Sequence, residues 1–200
     1  GSDGSVSASR RTIQIIGAAT GLQAQGYVVY DSRKAGSITV SHLRFAQAPI
    51  RAPYLIQQAQ LLACHHWDFI SQFDVLSQAA PGAMLLLNSP WPAERCWEQL
   101  PVRVQAQVRR LGLQLSVVDA SAIATAHGLG PHISTVMQVC FFALAGVMPM
   151  GEALPALRRA IRHNIGHLGD AVVNANLAAV DAALADLRQV VVPAATQGTI

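Results

Sequence analysis

Two short segments carry residue types that could do chemistry. Asp3-Gly4-Ser5-Val6-Ser7 stands directly ahead of a helical pattern. Small side chains there leave backbone N–H groups open toward a ligand at the positive end of the helix dipole, a place that suits phosphate or pyrophosphate. The same Ser/Asp/Gly cluster is also an ordinary N-cap, and the residues alone leave both readings open. The second segment, Asp31-Ser-Arg-Lys-Ala-Gly-Ser37, combines two cations, two hydroxyls and Gly36. Lys34 would serve as a point charge, Arg33 as a fork, and Ser37 as a further hydrogen-bonding group for phosphate. A solvated turn draws the same residue types.

Other constellations are weaker. Cys64-His65-His66 and the pair His163/His167 have the look of metal ligands. The pair lacks the adjacent carboxylate of HExxH, and no four-ligand zinc spacing occurs, so these side chains read as surface or packing residues. Cys64 and Cys140 lie in apolar runs and read as small buried hydrophobes. There is no G-x-S-x-G elbow, and no catalytic acid, base or nucleophile stands out. The run Val136-Met-Gln-Val-Cys-Phe-Phe142 reads as core.

The elements that must position these segments follow from periodicity. Residues 7–25 repeat apolar positions at helical spacing, with Gly26 as the expected stop. Residues 27–30 and 38–45 read as strands joined by the polar segment. Strand, helix and strand are then expected at 60–65, 68–79 and 84–88, followed by one amphipathic helix over 94–111 that Gly112 breaks and a strand over 113–119. This βαβ rhythm implies a parallel sheet. Helices are expected over 120–127, 132–147, 151–166 and 170–191, with an irregular tail from 193 to 200. The fold class is therefore α/β: a three-layer α/β/α sandwich with a mostly parallel sheet and a helical C-terminal third.

The 200 residues are 52% hydrophobic and show no linker, so residues 1–200 are expected to form one domain. A net charge of +3 with only 12% charged residues leaves no basic stripe, which argues against nucleic acid as a partner. Low charge with positive mean hydropathy suits a domain covered by other domains or subunits. No apolar run reaches the roughly 18 residues of a membrane span. Three cysteines are an odd number at spacings unlike a disulfide framework, and the simplest setting is a reducing cytoplasm. Phosphate-binding loops usually follow a strand, and none precedes Asp3, so the segment is expected to belong to a longer polypeptide whose strand lies upstream.

Taken together these motifs resemble the gamma domain of pyruvate:ferredoxin (flavodoxin) oxidoreductases, among the thiamine-dependent 2-oxoacid oxidoreductases. Gly1-Ser-Asp-Gly-Ser-Val-Ser-Ala-Ser-Arg10 is similar to that family's opening, and Ile13-Gln-Ile-Ile-Gly17 to its first helix. Tyr30-Asp-Ser-Arg-Lys-Ala-Gly-Ser-Ile-Thr-Val-Ser-His-Leu-Arg-Phe45 is the most specific run. Pro49-Ile-Arg51, Ala63-Cys-His65, Leu86-Leu-Asn-Ser-Pro90, Val118-Asp-Ala120 and Met137-Gln-Val-Cys-Phe-Phe142 follow in the family's order.

The resemblance implies a part of an enzyme that converts pyruvate to acetyl-CoA and is inactive alone. It implies thiamine diphosphate, magnesium and iron–sulfur clusters in the rest of the enzyme and no cofactor of this domain's own, with coenzyme A as substrate. Implied partners are the other domains or subunits, ferredoxin or flavodoxin as acceptor, and further copies in a homo-oligomer. Asp3, Gly4, Ser5, Val6, Lys34, Gly36 and Ser37 match or conservatively replace family residues and become the expected coenzyme A contacts. Ser7, Ser9 and Arg10 replace the family's Gly, Asn and Lys, and His132-Ile-Ser134 replaces Arg-Ile-Asn. A lost glycine narrows the backbone's options and a lost arginine removes a permanent cation. A purely structural assembly domain, or a free-standing nucleotide-binding module with Asp31 on a ribose, are the competing readings.

Overall fold

A computed structural model describes residues 5–31, 38–51 and 53–194. The first helix, α1, runs Ser5–Thr20 and buries Ala8, Thr12, Ile15 and Ile16 on one face. It stops earlier than its periodicity implies. The Thr20 hydroxyl donates to the Ile16 carbonyl at 2.6 Å and accepts from the Leu22 N–H at 3.2 Å, and Gly21 takes φ +67°. A left-handed glycine ends a helix wherever it first occurs, which is Gly21 rather than Gly26.

Gly26 instead lies inside a strand. β1 (Gln23–Asp31) pairs antiparallel with β2 (Ile38–Ala46), from Gln23 opposite Ala46 to Asp31 opposite Ile38, and the two form a sheet of their own. A Cβ at Gly26 would collide with the Ile13 δ-methyl, so the missing side chain lets the ribbon lie close on α1.

Among the described residues the main sheet has four strands in the order β3 (Ala59–Cys64), β4 (Ala79–Asn88), β5 (Gln114–Val118) and β6 (Arg188–Gln189). β3, β4 and β5 are parallel, and β6 runs antiparallel on the β5 edge. Between β3 and β4 the helix expected over 68–79 is a single turn, α2 (Phe69–Gln72). Phe73 turns extended, and the chain folds into turns where the Ser77 and Ala79 N–H groups donate to Asp74 and Leu76, which lets Leu76 enter the core. β4 starts five residues before the expected strand. Its pairing with β3 shifts between Ala59 and Leu61, beside Pro81 and Gly82 (φ +74°).

The helix expected over 94–111 is two helices, α3 (Ala93–Gln99) and α4 (Val102–Leu111). Pro101 forces Leu100 into an extended conformation and opens α4 afresh. α5 (Ala120–Ala126), α6 (Ser134–Ala145), α7 (Met150–Ile165) and α8 (Asp170–Asp186) make up the helical last third. α8 stops short of the expected residue 191. Leu187 turns the chain into β6, and the Val190 N–H donates to the Leu115 carbonyl at 2.8 Å.

Consecutive residues of β4 face opposite sides: Leu86 joins one core with Val118 and α1, α5, α6, α7 and α8, while Leu85 and Leu87 join the other with α2, α3 and α4. All three leucines are at most 1% exposed. The sheet is thus covered on both faces, the α/β/α sandwich with a mostly parallel sheet that the βαβ rhythm implies.

Candidate functional site

Of the expected anion-binding residues, Ser5 and Val6 are the first two residues of α1, both half-buried. Asp3, Gly4, Lys34, Gly36 and Ser37 lie outside the described residues. The topology nonetheless relates the two segments. α1 and β1 run antiparallel, with Gly26 against Ile13. From that contact α1 extends about 12 Å back to Ser5 at 1.5 Å per residue. β1 extends about 17 Å in the same direction to Asp31 at its strand rise. The start of α1 and the open end of the β1–β2 ribbon therefore point to one end of the unit. The described flanks of the two segments, Ser5 and Asp31, share that end, and the helix dipole presents partial positive charge there.

α1 is held in place by a buried polar contact. The Gln138 side-chain amide on α6 donates to the Thr12 hydroxyl at 2.8 Å and to the Ala8 carbonyl at 3.0 Å. Thr12 in turn donates to the Ala8 carbonyl at 2.9 Å. Burying amide and hydroxyl groups is tolerated only when they are bonded, so this set fixes the rotation of α1 and hence the direction of its first turn. The ribbon has its own brace: Arg44 donates to Gln25 Oε1 at 3.1 Å and stacks over Tyr54 at 5.0 Å.

A second polar node closes the carboxyl ends of the parallel strands. Asn88, at the end of β4, donates to the His65 carbonyl at 2.9 Å and to Ser121 Oγ at 3.0 Å, and accepts from the Ala120 N–H at 3.0 Å. The Asp119 carboxylate accepts from the Ala122 N–H at 2.8 Å, so two of the orphan N–H groups of α5 are satisfied by side chains. Gln138 and Asn88 were not singled out by sequence reasoning. Both sit in otherwise apolar runs, and a lone amide in such a run is the signal that could have marked them.

Among the described residues no group of three or more His, Cys, Asp or Glu side chains could hold a metal ion. The cysteines do not fit a cluster either. All three are buried, Cys140 in one core and Cys64 and Cys96 in the other, across the sheet. An iron–sulfur cluster takes about four converging thiolates. Burial pushes the Cys64 thiol up to about 11, and burial together with the charge of Asp186 pushes Cys140 up to about 12. Asp31 ends a strand of the antiparallel ribbon rather than a strand of a βαβ unit.

The comparisons with known proteins agree with this architecture. The pyruvate oxidoreductase subunit PORC of Thermotoga maritima superposes with a TM-score of 0.68 at 17% identity, covering 94% of this chain and 92% of that one. A 2-oxoglutarate:ferredoxin oxidoreductase of Magnetococcus marinus, solved with 2-oxoglutarate, coenzyme A and succinyl-CoA bound, gives 0.67 at 15% identity over 92% of this chain and 29% of that one. These likenesses establish the fold. In sequence, the chain is 50% identical to a pyruvate-flavodoxin oxidoreductase of Nostoc sp. and 47% identical to that of Rhodospirillum rubrum, each over 99% of its length. It spans only 16% and 17% of those two relatives. A family model described as Pyruvate ferredoxin/flavodoxin oxidoreductase matches residues 1–185, and with half its residues shared with such an enzyme the chain belongs to that family.

Proposed function

We propose that the chain is the gamma-type domain, residues 1–200, of a thiamine diphosphate-dependent pyruvate:ferredoxin or flavodoxin oxidoreductase, and that it supplies coenzyme A contacts and domain packing. The observation that carries this reading is the 50% identity over 99% of the chain to a pyruvate-flavodoxin oxidoreductase. In this reading thiamine diphosphate, magnesium and the iron–sulfur clusters belong to other domains, where thiamine diphosphate supplies the carbon chemistry. The assembly is a cytoplasmic homo-oligomer that reduces ferredoxin or flavodoxin.

This chain's part is electrostatic. The first turn of α1, the Ser5 hydroxyl and the Lys34 ammonium hold coenzyme A phosphates, with Asp3, Gly4, Val6, Gly36 and Ser37 as further contacts. Gln138 acts by keeping α1 in position. Coenzyme A-dependent pyruvate oxidation by the full-length enzyme, assayed anaerobically, tests this. Lys34→Ala is expected to raise the coenzyme A requirement by about tenfold, the value of one charge-assisted contact. An unchanged requirement removes the phosphate role, and a parent enzyme that does not oxidise pyruvate removes the substrate.

A second reading, an architectural domain without ligand contact, is favoured by Ser7, which stands exposed in the first turn of α1 at the position where the family pattern has glycine. Under that reading Lys34→Ala leaves activity unchanged.

A further inference from the structure

Between α1 and α7 runs a groove of about 330 Å³. Ile15, Ala18, Ala156 and Ala160 give it an apolar lining, Arg11 and Arg159 give it positive charge, His163 adds an imidazole, and among the described residues no carboxylate lines it. Arg158, the neighbour of Arg159, turns away to pair with Asp181 of α8. Arg11 and Arg159 make no hydrogen bond or ion pair among the described residues. Arg11 is also partly withdrawn from water, and burial lowers its basicity with no acceptor to offset it. A guanidinium held in such surroundings without an acceptor costs free energy that an external carboxylate would recover.

We propose that this groove is the docking site for a carboxylate-bearing segment of another domain of the same enzyme, its acidic side chains pairing with Arg11 and Arg159. The inference rests on the reading of the chain as one domain of a larger enzyme. A chain that spans 16% of its relatives leaves most of their polypeptide available to supply the segment. The lining favours a peptide over a free anion: a phosphate would satisfy the cations and leave the alanines wet, whereas a peptide segment covers both. Alanines on both helices let a backbone approach closely, and arginine is a residue type that anchors such interfaces.

The test uses the full-length enzyme with Arg159→Lys and, separately, Arg11→Lys, which keep the charge and supply an amine. A water-soluble carbodiimide joins an amine to an adjacent carboxylate as an amide, with water taken up by the reagent, and peptide mass spectrometry identifies the partner. A link from either variant to an Asp or Glu outside residues 1–200 is expected, and none is expected from Arg110→Lys, an exposed control on α4. No link, or links confined to residues 1–200, overturns the proposal. If, in addition, inorganic phosphate at constant ionic strength binds the parent enzyme and not an Arg11→Ala variant, the groove is a small-anion site. Pyruvate oxidation by the parent enzyme is scored separately: activity without a link removes the docking site alone, and a link without activity removes the substrate assignment alone.

Discussion

The amide of Gln138 reaches from α6 to the Thr12 hydroxyl on α1, 126 residues away in sequence, and closes the bond at 2.8 Å. Replacing Gln138 by Leu leaves the Thr12 and Ala8 acceptors without that donor and should cost about 1–3 kcal/mol. Adding Thr12→Val should recover part of the loss, because removing both polar partners is cheaper than stranding one. Urea unfolding of the single and double variants checks both statements; a purely additive double variant contradicts the second.

Asn88 satisfies three groups on three different segments. Asn88→Ala strands the buried Ala120 N–H and frees the end of β3, with an expected loss of about 2–3 kcal/mol. Limited proteolysis should then cut first near residues 65–68 and 119–121, where the chain crosses the carboxyl ends of the strands.

At Gly26 the obstacle to a side chain is the flexible end of Ile13, with Leu43 Cδ2 at 3.4 Å next nearest. Gly26→Ala should cost about 1–2 kcal/mol by overpacking. Ile13→Val shortens the obstructing side chain, so the double variant should be more stable than the sum of the two singles by about 1 kcal/mol. Thermal unfolding of the four proteins measures the coupling, and none would mean the ribbon simply lifts away from α1.

The thiols set an alkaline limit. Their pKa is raised by burial in the folded state, from an ordinary 9.0 to about 11 for Cys64 and about 12 for Cys140. Below about pH 9 both states are protonated and the difference contributes nothing. Above it the unfolded chain releases protons the folded one keeps, so stability falls with rising pH until the native thiols ionise near 11 and 12. Cys64→Ala and Cys140→Ala should each flatten that decline, whatever they cost in packing at pH 7. In the native protein at pH 8 all three cysteines should resist alkylation.

How much of this was legible in the sequence depended on the kind of signal. Met84–Asn88 was recognisable as a buried strand because the run is apolar on both faces, and the structure sends Leu85 and Leu86 into opposite cores. The misreadings came from punctuation. Gly21 and Gly26 look alike in sequence, and only the positive φ of the first separates a helix stop from a flat spot in a strand. Pro101 sits in an amphipathic pattern that continues across it, so the break between α3 and α4 was hidden by periodicity. β6 is two residues long, which is below what alternation can reveal, and it exists because the free edge of β5 offers it partners.

The candidate site was legible as residue types and not as geometry. Ser5 and the 31–37 segment could be proposed as anion contacts one by one, but that their flanks share an end depends on the antiparallel return of β1 along α1. Gln138 was hidden for the opposite reason: Met137-Gln-Val-Cys-Phe-Phe142 reads as core because it is core, and Gln138 is itself 4% exposed. The Arg11–Arg159 groove needs α7 folded against α1, which no local pattern encodes.

The two-sheet arrangement carries a kinetic consequence. Among the described residues β1 and β2 share no ladder with the main sheet, and their neighbours in space are largely their neighbours in sequence. The β1–β2 ribbon can form early, with little loop-closure cost, and can open without breaking the ladders of β4 and β5. Its amide protons would exchange with solvent ahead of those in the main sheet. The ribbon that ends at Asp31 is thus the part the fold can release and re-seat at least expense.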